Sequence, residues 1–184
     1  DAPKITKKKK ESKNQSTDPT KLDKKFISKI DVETLWKKTL GDGYKGHYLK
    51  LAPRIVEETL YISDRNGELI SADASSGKVL WRILDEGVEY TSAVGFGDGM
   101  IFVGTGDGRV IARDSMTGAL KWVVRMSSEV LAAPVSEDGI TVVRSADGSV
   151  VGLDAKSGTE IWNYRRSAPK LTIRGNSNPV IEDG

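Results

Sequence analysis

Between Leu51 and Arg166 the chain alternates apolar and polar positions in short runs, each cut by a glycine-bearing turn. Alternation with period two over four to six residues predicts half-buried β-strands, and helix formers are not concentrated anywhere along the chain. In the stretch from Ala133 to Arg165 the pattern resolves into four strands. The first is expected over Ala133–Ser136. Asp138-Gly139 then supplies a tight hairpin turn, because glycine accepts the positive φ that such a turn requires. A second strand is predicted over Ile140–Arg144, a turn at Asp147-Gly148, a third strand over Ser149–Asp154 and a turn at Lys156-Ser157-Gly158. A fourth follows over Glu160–Arg165, with Trp162 directed to one face.

The same four-strand pattern occurs three times. Asp73-Ala-Ser-Ser-Gly77-Lys-Val-Leu-Trp81 returns as Asp114-Ser-Met-Thr-Gly118-Ala-Leu-Lys-Trp122 and as Asp154-Ala-Lys-Ser-Gly158-Thr-Glu-Ile-Trp162. The tryptophans are 41 and 40 residues apart, and Gly67, Gly108 and Gly148 keep the same beat, as do Pro53, Val94 and Pro134. A repeated antiparallel meander of about 40 residues cannot bury both of its faces alone and stacks on its neighbours, which is how the blades of a β-propeller are built. The expected fold is therefore all-β, a β-propeller of four-stranded antiparallel blades. Full blades are expected over residues 51–85, 91–126 and 131–166. Residues 30–40, with Trp36, look like a stray outer strand of a closing blade, and 167–184 like a connector and the start of the next blade. That makes about three and a half blades of an expected eight.

Composition divides the chain rather than characterising it. Residues 1–29 hold ten lysines against four acids, so the net charge of +2 reflects a basic tail ahead of an acidic remainder. The tail is too poor in apolar surface to offset the entropy of ordering it and is expected to be a flexible, disordered tether. Basicity confined to a tail gives the blades no nucleic-acid footprint. The absence of cysteine excludes a disulfide framework or Cys-ligated metal within this stretch. No apolar run approaches the roughly 20 residues of a membrane-spanning helix.

The repeated motif has a structural rationale at each position. Asp73, Asp114 and Asp154 can accept backbone N–H groups of their own turns, while Gly77, Gly118 and Gly158 supply a left-handed residue. Trp81, Trp122 and Trp162 are expected to wedge between adjacent blades. The clusters Gly95-Phe-Gly97-Asp-Gly99 and Gly104-Thr-Gly106-Asp-Gly108 complete no phosphate-binding motif and open no helix, so hairpin turns are expected there. His47 is the chain's one histidine and has no nucleophile or carboxylate at motif spacing. No catalytic constellation, metal site or cofactor site is expected.

One connector breaks the rhythm. The blade tryptophan and the following first-strand mark are 13 and 12 residues apart in the first two repeats but 17 apart from Trp162 to Pro179. Within that stretch Leu171 and Ile173 alternate with polar residues and Arg174 follows. An apolar pair beside an arginine on a loop fits a protein-binding hot spot; packing of both aliphatics beneath the rim fits the pattern equally well.

The repeated Asp-x-x-[Ser/Thr]-Gly-x-x-x-Trp units resemble those of quinoprotein-type (PQQ-like) eight-bladed propellers. Within that group, Leu171-Thr-Ile173-Arg174-Gly175-Asn176-Ser-Asn-Pro179 is similar to a segment of the propeller lipoprotein family of the outer-membrane β-barrel assembly (BAM) complex. The resemblance spans about Leu35–Gly184 and would cover the N-terminal half of such a protein. It implies a non-catalytic scaffold on the periplasmic face of the outer membrane, held by a lipid anchor absent from this chain. It also implies binding to the POTRA region of BamA through Leu171, Ile173 and Arg174, with unfolded β-barrel precursors as further partners. The alternatives are a PQQ-dependent dehydrogenase on the same fold, which would need a calcium site, a catalytic aspartate and a tryptophan platform, or a propeller adaptor with another partner.

Overall fold

A computed structural model describes residues 32–43, 46, 49–165 and 177–182. The described residues form twelve strands, grouped as three four-stranded antiparallel sheets with every strand beside its sequence neighbour. The first sheet holds β1 (Arg54–Val56), β2 (Thr59–Ser63), β3 (Glu68–Asp73) and β4 (Val79–Leu84). In the second are β5 (Gly95–Gly97), β6 (Met100–Gly104), β7 (Arg109–Asp114) and β8 (Leu120–Arg125). The third contains β9 (Val135–Glu137), β10 (Ile140–Arg144), β11 (Ser149–Asp154) and β12 (Glu160–Arg165). All three lie in one compact unit, Thr34–Gly184.

Turn chemistry sets the hairpins. Asp98-Gly99 and Asp138-Gly139 place both residues at positive φ, at 48° and 71° and at 50° and 80°, the mirror-image turn whose twist matches that of the flanking strands. In the first sheet the two-residue turn is Glu57-Glu58, where only Glu57 takes a positive φ, of 52°. The first strand of the third sheet starts at Val135 rather than Ala133, the same repeat position at which β5 starts, and the main-chain N–H of Ala133 donates to the Asn178 side chain at 3.0 Å. The glycine cluster at Gly95–Gly99 is also corrected: Gly95–Gly97 is strand β5, and only Asp98-Gly99 turns.

Each third-to-fourth strand pairing carries a bulge at the same place. Ser71 pairs with Trp81 and Ala72 with Val79, which leaves Leu80 extra; Lys121 and Ile161 are extra in the other two sheets. A bulge re-aims the side chains beside it, and here the re-aimed side chain is the motif tryptophan.

The middle sheet shows why the repeats need one another. Every residue of β6 is buried, with Ile101 and Val103 in a core shared with Tyr61 and Leu69 of the first sheet. Met100 and Phe102 point the other way, into a core shared with Val143, Val151 and Leu153 of the third. A strand covered on both faces contributes to two junctions at once, each fully buried aliphatic or aromatic side chain being worth about 1.5–3 kcal/mol. The innermost strands approach still closer. A Cβ on Gly95 would overlap the carbonyl oxygen of Pro134, and one on Gly97 that of Ser136, so β5 lies against β9 with no room for side chains between them. Asp98 clasps the same pair, accepting hydrogen bonds from Ser136 Oγ at 2.7 Å and from the Gly139 N–H at 3.2 Å.

Candidate functional site: blade locks and a rim segment

The motif tryptophans connect one sheet to the next through a repeated lock. Trp81 Nε1 donates to the carbonyl of Ser115 at 3.2 Å, and Trp122 Nε1 to that of Ala155 at 2.8 Å. Each acceptor is the residue after the motif aspartate of the following sheet. Each ring lies over the motif glycine of that sheet, where a Cβ on Gly118 would come 3.2 Å from Trp81 and one on Gly158 2.8 Å from Trp122. Trp36 makes the same lock on the first sheet, with Nε1 donating to Ala74 O at 2.9 Å and the ring over Gly77. Gly77, Gly118 and Gly158 therefore serve twice: they carry the positive φ of the turn, at 65°, 72° and 74°, and they leave the space that a neighbour's indole fills. Trp162 differs. It remains 40% exposed, and its ring lies across Gly152 of its own sheet, because no following sheet stands among the described residues to receive it.

Asp73, Asp114 and Asp154 close the sockets. Asp73 Oδ1 accepts from Ser75 Oγ, Ser76 Oγ and the Ser76 N–H at 2.6–2.8 Å. Asp114 does the same with Thr117, and Asp154 with Ser157. Hydrogen bonds to the ionised form favour it, so Ser76 and Ser75 hold Asp73 down at about 2 and the Thr117 bonds hold Asp114 at about 2, against an ordinary 3.8. Asp154 is lowered by Ser157 in the same way. A carboxylate depressed in the folded state stabilises fully above its unfolded value and loses that contribution as pH falls through its folded value. Thermal melts should accordingly show a midpoint that is flat above about pH 5 and declines between about pH 4 and 2. A D73N/D114N/D154N variant should flatten the decline.

Sequence reading missed an ionic cluster at the junction of the first and second sheets. Asp85, just past β4, accepts from both Tyr90 Oη and Arg113 Nη2, while Arg113 Nη1 donates to Gly118 O at 3.0 Å. Burial, reinforced by the Asp85 carboxylate, pushes the Tyr90 phenol well above its ordinary value, so it stays neutral and donates. The signal was present in the repeat: Arg113 stands where the other sheets carry Ala72 and Leu153.

Leu171, Ile173, Arg174 and His47 lie outside the described residues, as do residues 1–29. The flanks of the rim segment are described. Before it, Arg165 Nε donates to Ser149 Oγ at 3.1 Å. Beyond it, Ser177 Oγ accepts from Arg144 Nη1 at 2.7 Å, and Asn178 Oδ1 caps the Ala133 N–H. Both ends of the segment are thus tied to the third sheet. Among the described residues no group of three or more His, Cys, Asp or Glu side chains could hold a metal.

Repeated four-stranded meanders locked by a motif tryptophan define a β-propeller of the PQQ-like repeat class. The solved structure of BamB from Moraxella catarrhalis superimposes with a TM-score of 0.63 at 28% identity, covering 74% of this chain and 40% of that one. A europium-containing methanol dehydrogenase shares the fold at 19% identity, with a TM-score of 0.54 over 64% of this chain and 24% of that one. The family model of outer membrane protein assembly factor BamB matches residues 24–87 and 84–184. BamB of Alteromonas naphthalenivorans is 35% identical over 89% of this chain. The chain belongs to the BamB family of outer membrane protein assembly factors. It spans about two fifths of the length of such relatives, 42% in the Alteromonas protein.

Proposed function

We propose that the chain is part of a non-catalytic scaffold subunit of the outer-membrane protein assembly machinery. It is lipid-anchored at the periplasmic face, binds the POTRA region of BamA and assists insertion of β-barrel precursors. In this reading Leu171, Ile173 and Arg174 form the contact with BamA, and residues 1–29 are the tether to the membrane. The observation that carries it is the longer connector between the third sheet and Pro179 in a chain of the BamB family. Its flanks are tied to the third sheet through Arg165, Ser177 and Asn178. Among the described residues Trp81 and Trp122 and the glycines beneath them are taken up in packing between sheets.

Arg174→Glu should abolish co-purification with the purified POTRA region of BamA while leaving the melting temperature unchanged. Leu171→Asp and Ile173→Asp should each weaken binding by about 1–4 kcal/mol, the range of interface anchors. Undiminished binding by all three would remove the assigned contact. Stoichiometric binding of the quinone PQQ followed by absorbance, with alcohol oxidation, would instead favour an enzyme.

A further inference from the structure

The turns between the second and third strands of the three sheets are equivalent: Asp64-Arg65-Asn66-Gly67-Glu68, Thr105-Gly106-Asp107-Gly108-Arg109 and Ser145-Ala146-Asp147-Gly148-Ser149. Glycine is imposed at the fourth place. Gly67 has a φ of 84°, and a Cβ on it would come 2.5 Å from the Asp85 carbonyl oxygen. The residue before it is not imposed: the second and third sheets carry aspartate there, and the first carries Asn66. Each of those aspartates meets a donor, Asp107 from Arg109 Nε at 2.8 Å and Asp147 from Ser127 Oγ of the preceding connector at 2.7 Å. The first sheet has acids at both places. Glu68 stands where the second sheet has Arg109, and the preceding segment presents Asp42, whose Oδ2 accepts from Asn66 Nδ2 at 2.9 Å. Two further bonds tie that segment to the turn: the Asp42 N–H donates to Asp64 Oδ2 at 2.9 Å, and the Arg65 N–H donates to Gly43 O at 3.2 Å.

Of the chain's five asparagines only Asn66 precedes a glycine. With no side chain on the following residue to hinder it, the next main-chain nitrogen can reach the asparagine's own side-chain carbonyl carbon. The setting favours that encounter. Asn66 is exposed, and the Gly67 N–H reaches Asp64 O only at 3.4 Å, against 3.1 Å for the equivalent bonds of Gly108 and Gly148. We infer that Asn66 is a spontaneous modification site: in the folded turn it converts to aspartate and isoaspartate, and the conversion loosens residues 41–43 from the first sheet. The Gly67 nitrogen bonds to Asn66 Cγ, the Cγ–Nδ2 bond breaks, and ammonia leaves with the proton that the nitrogen held. Water then opens the cyclic imide. Hydrolysis at Cγ yields aspartate, and hydrolysis at the main-chain carbonyl yields isoaspartate. Either product exchanges the amide donor for a carboxylate that faces Asp42 and neighbours Asp64, so a hydrogen bond becomes a like-charge contact. The nearby arginines are engaged with other acids, Arg65 with Glu89 and Arg82 with Glu68. None of this rests on the contact proposed for BamA.

The test ages the full chain at mildly alkaline pH, native and in parallel unfolded in urea, until the unfolded sample has converted. Mass spectrometry follows the proteolytic peptide that contains residue 66. In the native sample this peptide should gain the mass of an amide-to-acid exchange, and part of it should become a substrate for protein isoaspartate methyltransferase. Asn66→Gln should show neither change. Asn66→Asp reproduces one product and carries the residue of the equivalent turns, so its melting temperature should be close to that of wild type. By hydrogen–deuterium exchange, its Asp42 and Arg65 amides should exchange several-fold faster than in wild type, while those of Gly108 and Gly148 keep their rates. The same exchange measured on aged wild-type protein replaces the variant if it folds poorly. The proposal is overturned if the native protein keeps its amide while the unfolded chain loses it, or if the acid at residue 66 leaves exchange at Asp42 and Arg65 unchanged.

Discussion

Trp122→Ala should destabilise the protein by about 3–5 kcal/mol, the cost of emptying a large buried site, whereas the same change at Trp162 should cost about 0.5 kcal/mol, as at an ordinary surface position. The two tryptophans occupy the same place in the repeat and differ only in what lies beyond them. Trp122 is 7% exposed, packs 5.7 Å from the Phe102 ring and donates to Ala155 in the next sheet. Trp162 is 40% exposed and rests on its own Gly152. Removing Trp122 opens a cavity between two sheets and leaves the Ala155 carbonyl without its donor; removing Trp162 uncovers Gly152 of its own sheet but opens no cavity between sheets. Urea unfolding of the two variants measures the difference. Equal losses would mean that the indole acts within its own sheet and that the lock between sheets carries little energy.

Gly97→Val should cost at least about 4 kcal/mol, beyond the usual span of single substitutions, and Gly97→Ala should already be severe. The atom in the way is the main-chain carbonyl of Ser136, which cannot rotate aside as a side-chain end can. To admit a methyl group β5 and β9 must part, and the Asp98 clasp to Ser136 and Gly139 goes with them. Gly99, two residues on, provides the control. It has open space around it but a φ of 71°, so Gly99→Ala should cost only about 1 kcal/mol of backbone strain. Thermal melts of the three variants separate close approach from dihedral strain. If Gly97→Ala and Gly99→Ala melt together, the inner strands are less tightly apposed than described.

What could be read from the sequence follows from how local the physics is. Asp138-Gly139 could be read because positive φ is a property of the residue itself, and the strands it joins alternate plainly. The turn at Glu57-Glu58 carries no such mark, since the surrounding sheet imposes its φ of 52°. Gly95 and Gly97 look like turn residues in sequence, because a glycine required by a neighbouring backbone 39 residues away carries the same mark as one required by its own φ. Arg113 broke the repeat visibly, but its partner Asp85 lies 28 residues off, and nothing in periodicity joins the two. The rim segment showed itself through connector length and family resemblance rather than any geometric rule. The acid that Asn66 faces, Asp42, emerged only when the equivalent turns of the three sheets could be compared in space.

If the blades are a rigid frame, the partner contact lies on the segment between Arg165 and Ser177. Hydrogen–deuterium exchange of the protein, alone and with the POTRA region of BamA, tests that most directly. Amides of residues 166–176 should gain protection on adding the partner, while β6, β7, β10 and β11 should exchange slowly in both states. Protection that appears only elsewhere, or no change on saturation, would contradict it.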